Sequence, residues 1–114
     1  RVVFLSSVAG IAGNFGQTNY SLSKAALIGY ARGLADERPE VQVNVVAPGF
    51  VKTQMVEMVL GQLFSPDNPK LIAPMGRPAT VEEVGYACLY LASDEASYCT
   101  GTVLCVDGGS TGRA

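Results

Sequence analysis

The chain has 114 residues, 48% of them hydrophobic, and its eight basic and ten acidic side chains leave a net charge of −2. That balance suits one buried domain and offers no basic surface for a nucleic-acid partner, and no apolar run approaches the roughly 20 residues of a membrane span. Histidine is absent, which removes the usual base, metal ligand and pH switch and weighs against Ser-His-Asp hydrolysis and most zinc sites.

Arg1 to Ser6 is a short apolar run, the pattern of a strand buried on both faces. It is too short, and too soon followed by glycines, to be a signal peptide. Gly10, Gly13 and Gly16 follow at spacings of three and do not make the G-x-G-x-x-G dinucleotide fingerprint. Gln17 to Ala35 reads as a helix. On it Tyr20 and Lys24 stand four residues apart and share a face. Ser7, at the end of the first strand, can point at that same face. A hydroxyl, a phenol and an ammonium that converge can polarise and protonate a carbonyl while hydride arrives from a cofactor. An ammonium beside a phenol favours phenolate and brings a sluggish acid-base group toward the range of a general acid. Tyr-x-x-x-Lys alone is a weak signal, since most such pairs are surface decoration. The setting of strand, Ser, Gly-rich loop, Tyr, Lys and small-residue helix is what lifts it. Ala25, Gly29 and Gly33 form a small-residue stripe that permits close approach, either to this chain's own sheet or to a second helix.

Pro39 closes the helical region. Val41 to Ala47 reads as the second strand, ended by Pro48-Gly49. Thr53 to Phe64 reads as a helix with Met55, Val56, Val59, Leu60 and Leu63 as its apolar set, broken by the turn residues Ser65 to Pro69. After a connection over Pro74 to Pro78, Thr80 and Glu83 form a capping box that opens a helix to about Ala92, with Val84, Ala87, Cys88 and Leu91 on its inner face. Thr102 to Val106 is the last strand, and Asp107-Gly108-Gly109 turns the chain out. Three parallel strands joined by helical crossovers make an α/β sheet, with active residues expected at the carboxyl ends of the strands. Cys88, Cys99 and Cys105 match no metal pattern and read as reduced, structural thiols rather than a redox pair, which points weakly to the cytoplasm.

These pieces together resemble the short-chain dehydrogenase/reductase family, and within it the 3-oxoacyl-acyl-carrier-protein reductase-like members. The resemblance rests on Leu5-Ser6-Ser7, on Tyr20-Ser21-Leu22-Ser23-Lys24-Ala25-Ala26 and on Val43 to Gly49. It continues through Leu91-Ala92-Ser93-Asp94, Gly101-Thr102 and Val106-Asp107-Gly108-Gly109. It implies the C-terminal half of a Rossmann-like, doubly wound parallel sheet, with residues 1–114 as the C-terminal part of one NAD(P)-binding domain. The family's phosphate-binding turn and its upstream catalytic Asn have no match in this sequence. The resemblance also implies Ser7, Tyr20 and Lys24 as the catalytic set, with Lys24 bonding the nicotinamide ribose. Pro48, Gly49, Val51 and Thr53 would line the NAD or NADP site, and Thr53 to Phe64 resembles the family's variable cover over the substrate.

The activity so implied is hydride transfer between nicotinamide and a carbonyl or secondary alcohol, with a small-molecule or acyl-carrier-bound substrate, no metal, and a homotetramer or homodimer joined through the small-residue stripe. Two other readings stand beside it. One is a truncated, non-catalytic piece that binds a partner half through its first strand. The other is a scaffold that keeps only the dimer helices, which the intact Ser7, Tyr20 and Lys24 argue against.

Overall fold

A computed structural model describes residues 1–54 and 73–113. Strands β1 (Val2–Leu5), β2 (Val43–Pro48) and β3 (Val103–Val106) lie parallel in the order β1-β2-β3. Val2 to Leu5 pair with Val43 to Val46, and Val45 to Pro48 pair with Val103 to Val106. Parallel neighbours need long crossovers, and each here contains a helix. Between β1 and β2 run a short helix α1 (Val8–Ala12) and the long helix α2 (Thr18–Glu37), and between β2 and β3 runs α3 (Val81–Ala92).

The side-chain period of two sends β2 into separate cores on the two faces of the sheet. On one face Val43 and Val45 pack with Ala31, against Ile28, Leu34 and Ala35 of α2 and Val2 and Phe4 of β1. On the other, Val46 packs with Leu91 and Ala96, joined by Val3, Val84, Ala87, Cys88 and Cys99. A sheet covered by helices on both sides needs a near-continuous apolar central strand, which β2 is except at Asn44. Asn44 is fully buried, and its amide is satisfied: Nδ2 donates to the Cys99 carbonyl at 3.0 Å and Oδ1 accepts from Thr102 N–H at 3.1 Å.

Several expected boundaries shift for physical reasons. The strands begin or end a residue or two from the expected limits, and α2 runs on to Glu37. It stops there because Pro39 disfavours helical geometry in the residue before it, and Arg38 takes φ −128° and ψ 69°. The glycine-rich stretch, read as loop, contains α1. β1 does pack on both faces, but only in part: Leu5 is 49% exposed, and one edge of β1 is unpaired among the described residues. The capping box of α3 forms as expected, with Thr80 Oγ1 accepting from Glu83 N–H at 3.1 Å and Glu83 Oε1 from Thr80 N–H at 2.9 Å. The helix expected over Thr53 to Phe64 and the turn after it lie, but for their first two residues, outside the described residues.

Candidate active site

Ser7 comes from the junction of β1 and α1, and Tyr20 and Lys24 both come from α2. Ser7 caps α1 in extended geometry, and its Oγ accepts from Ala9 N–H at 3.1 Å, so the hydroxyl proton remains to be donated. Tyr20 and Lys24 sit one turn apart near the start of α2. The Lys24 ammonium lies 5.6 Å from the centroid of the Tyr20 ring, within cation-π range. It also donates to the Leu5 carbonyl at 3.1 Å, two residues before Ser7. Lys24 therefore links its own helix to the strand end that carries Ser7. Tyr20 is 41% exposed, so its phenol is open to a ligand.

Two residues not singled out in the sequence hold this arrangement. Ser6 is buried, and its Oγ donates to the Lys24 carbonyl at 2.7 Å while its N–H donates to Val46 O at 2.8 Å. One serine thus ties the end of β1 to both α2 and β2. Gly10 lets α1 lie directly on α2: a Cβ there would come within 2.8 Å of Ala25 N and of the Lys24 carbonyl carbon. The Ser-Ser doublet at a strand end was the available signal for Ser6. For Gly10 the signal was only its place in a glycine-rich stretch.

The segment expected to meet nicotinamide leaves the adjacent strand. Because Leu5 pairs with Val46, the Pro48-Gly49 end of β2 stands beside Ser7 in the register. Gly49 N–H donates to Val106 O at 2.9 Å, and a Cβ on Gly49 would lie 3.0 Å from Asp107 Cα. Val51 makes a parallel bridge to Ala79, supported by Lys52 N–H to Ala79 O at 2.7 Å and Ala79 N–H to Phe50 O at 2.8 Å. Thr53 N–H closes a tight turn onto Val51 O at 2.8 Å. The structure thus brings Pro48, Gly49, Val51 and Thr53 into one constrained loop at the carboxyl end of β2.

A cleft of about 320 Å³ opens behind this loop, lined by Phe50, Met75, Arg77, Glu83, Cys105 and Asp107 among others. Arg77 grips Glu83 with both guanidinium nitrogens, at 2.7 and 3.0 Å. That hydrogen bonding, with the Thr80 amide, pulls the Glu83 carboxyl down to about 2. Cys88 and Cys99 pack in the core as expected, and all three cysteines are free. Cys105 departs from the expectation: it is exposed, near the end of β3 and on the rim of the cleft. Among the described residues no group of three or more potential ligands could hold a metal.

The stripe of Ala25, Gly29 and Gly33 does not pack within the described chain. All three are exposed on the side of α2 away from Ile28, Ala31 and Leu34, and a Cβ on Gly29 or Gly33 would meet open space.

A parallel sheet with helices on both faces, and with polar side chains gathered at the carboxyl ends of neighbouring strands, defines a Rossmann-like α/β protein. Comparison with known proteins narrows the class. A family profile described as enoyl-(acyl carrier protein) reductase matches residues 1–111. The 3-oxoacyl-[acyl-carrier-protein] reductase FabG of Thermotoga maritima is 46% identical over 114 residues, covering 95% of this chain and 44% of that protein. A solved short chain dehydrogenase/reductase family protein superposes with a TM-score of 0.85 at 36% identity, over 96% of this chain and 45% of the other. Levodione reductase superposes with a TM-score of 0.86 at 33% identity, over 98% and 46%. The chain belongs to the short-chain dehydrogenase/reductase family, and it spans about half the length of the relatives it matches.

Proposed function

We propose that this chain forms the C-terminal part of a single-domain, NAD- or NADP-dependent oxidoreductase that reduces a carbonyl to a secondary alcohol, with 3-oxoacyl groups on an acyl carrier protein as its substrate class. The observation that carries the reading is the Lys24 ammonium, set 5.6 Å from the Tyr20 ring centroid and tied to the Leu5 carbonyl beside Ser7. The acyl-carrier substrate is supported by the names of the matching profile and of the Thermotoga relative.

The donor set suits a nicotinamide nucleotide. Lys24 carries three N–H donors and spends one on Leu5, which leaves others for ribose hydroxyls. The backbone from Pro48 to Thr53 is fixed at the strand end next to Ser7 and offers polar groups to a carboxamide. Tyr20, Lys24, Pro48, Gly49, Val51 and Thr53 would hold the cofactor, which supplies the hydride when bound. Tyr20 gives its phenolic proton to the carbonyl oxygen as that oxygen gains charge. Ser7 donates a hydrogen bond to the same oxygen and fixes its direction, a preorganised dipole where charge develops. Lys24 keeps a positive charge beside the phenol and favours the anion left on Tyr20.

The exposed stripe on α2 supports a homodimer or homotetramer, and three free cysteines support a reducing, cytoplasmic setting. The test is isotopic. The full-length protein that contains this segment, given nicotinamide deuterated at C4 and a 3-oxoacyl thioester, should yield a 3-hydroxyacyl product with deuterium at C3. Absence of that product, with oxidised cofactor also absent, would overturn the reading.

A further inference from the structure

Asp107 follows directly on β3, and its carboxylate takes up three donors. Oδ1 accepts from Gly109 N–H at 3.0 Å, and Oδ2 accepts from Thr111 N–H at 2.9 Å and Thr111 Oγ1 at 2.5 Å. Burial pushes the carboxyl up, but the bonds from Thr111 and Gly109 outweigh it and hold it below its ordinary value. One side chain therefore fixes residues 108–111 as a rigid turn, with Gly108 and Gly109 at φ +60° and +93°.

That turn is wedged between both stems of the segment that leaves β2. On one side the Asp107 backbone touches Gly49 so closely that a Cβ on Gly49 would lie 3.0 Å from Asp107 Cα and Cβ. On the other side Gly108 O accepts from Met75 N–H at 3.2 Å. A Cβ on Gly108 would lie 3.0 Å from Ala73 Cβ, and one on Gly109 would lie 3.2 Å from Pro74 Cγ. The contact at Gly49 leaves no room even for a methyl group and the atoms met are mostly backbone, so a shift of the turn is passed on to Gly49. Any loosening of the turn therefore reaches Gly49 and the loop behind it.

We infer that Asp107 is a positioning residue for the Pro48 to Thr53 loop, holding it in the geometry that receives the nicotinamide. This rests on the oxidoreductase reading above. Asp107 touches no reacting atom. It acts through its carboxylate on the turn, and through the turn on Gly49.

The test combines amide exchange with binding, on the full-length protein. In Asp107→Ala, exchange at residues 49–52 should rise by about tenfold or more, the scale of losing hydrogen bonds to a charged group, while residues 43–47 of β2 stay unchanged. Affinity for NAD(P)H should weaken by a similar factor, with the KM for the carbonyl substrate unchanged. Asp107→Asn keeps one carbonyl acceptor but sets an amide NH2 against the remaining donor, and should recover only part of the loss. Thr111→Val removes a single donor and should give a smaller effect in the same place. Unchanged exchange at residues 49–52 in Asp107→Ala would overturn the inference, and so would an equal rise across β2, which would mark a role in global stability alone. Wild-type protein that binds neither NADH nor NADPH would sink the oxidoreductase reading, while the exchange pattern would still decide whether Asp107 controls the loop.

Discussion

Gly10→Ala probes the arrangement most sharply, because two opposite effects compete at one site. Taken alone, replacing a helical glycine by alanine stabilises by roughly 1 kcal/mol. Here the new Cβ would sit 2.8 Å from Ala25 N and the Lys24 carbonyl carbon and 2.9 Å from Lys24 Cβ. Carbon contacts settle near 3.5–4.0 Å, so α1 and α2 must separate by something on the order of 1 Å. The atoms struck are mostly backbone and cannot swing aside. Overpacking of this kind typically costs about 1–3 kcal/mol, so the clash should exceed the propensity gain. The displacement cannot be absorbed far away either. α1 is capped by Ser7, and the residues struck are Lys24 and its neighbour. A misplacement of about 1 Å can cost about a hundredfold in rate. In the full-length protein Gly10→Ala should melt at a lower temperature and lose turnover by one to two orders of magnitude, by the same rule. Thermal unfolding followed by steady-state kinetics on the folded protein separates the two losses. A variant at least as stable as wild type with unaltered turnover would refute the reasoning.

Ser6→Ala removes the buried bond to the Lys24 carbonyl and should lower stability by about 1 kcal/mol in chemical denaturation. Leu91→Ala empties the centre of the α3 core and should cost about 2–5 kcal/mol in the same measurement. Gly29→Leu adds bulk to the exposed stripe on α2 and should shift the full-length protein toward smaller species in sedimentation, whereas an unaltered profile would place the subunit contact elsewhere. Glu83 is held down to about 2 against an ordinary 4.5, so its contribution to stability is complete above the ordinary value and is lost as pH falls through about 2. Glu83→Gln should therefore flatten that part of the acid-unfolding curve, followed by circular dichroism.

The elements that follow local rules were legible in the sequence. Thr80 and Glu83 meet across one helical turn, so the capping box could be read from four residues. The Val-rich run from Val41 to Ala47, closed by Pro48-Gly49, announced the second strand. Tyr20 and Lys24 share a face because of the helical period alone. What stayed hidden depends on contacts between segments distant in sequence. Ser6 reaches the Lys24 carbonyl across 18 positions, and Asp107 presses on Gly49 only because β2 and β3 are paired. α1 escaped notice because five residues containing a glycine carry little helical signal, and its capping by Ser7 resembled the start of a loop. The outward face of the Ala25, Gly29, Gly33 stripe could not be chosen from spacing, since two sides of α2 were open to small residues until the sheet claimed Ile28, Ala31 and Leu34.

Tyr20→Phe removes one oxygen and leaves the ring that faces Lys24. In the full-length protein, turnover should fall by about a hundredfold or more, the usual scale for a general acid, while melting temperature stays close to wild type. Turnover within a few-fold of wild type would contradict the account, because no other residue here is given the proton that the carbonyl oxygen must receive.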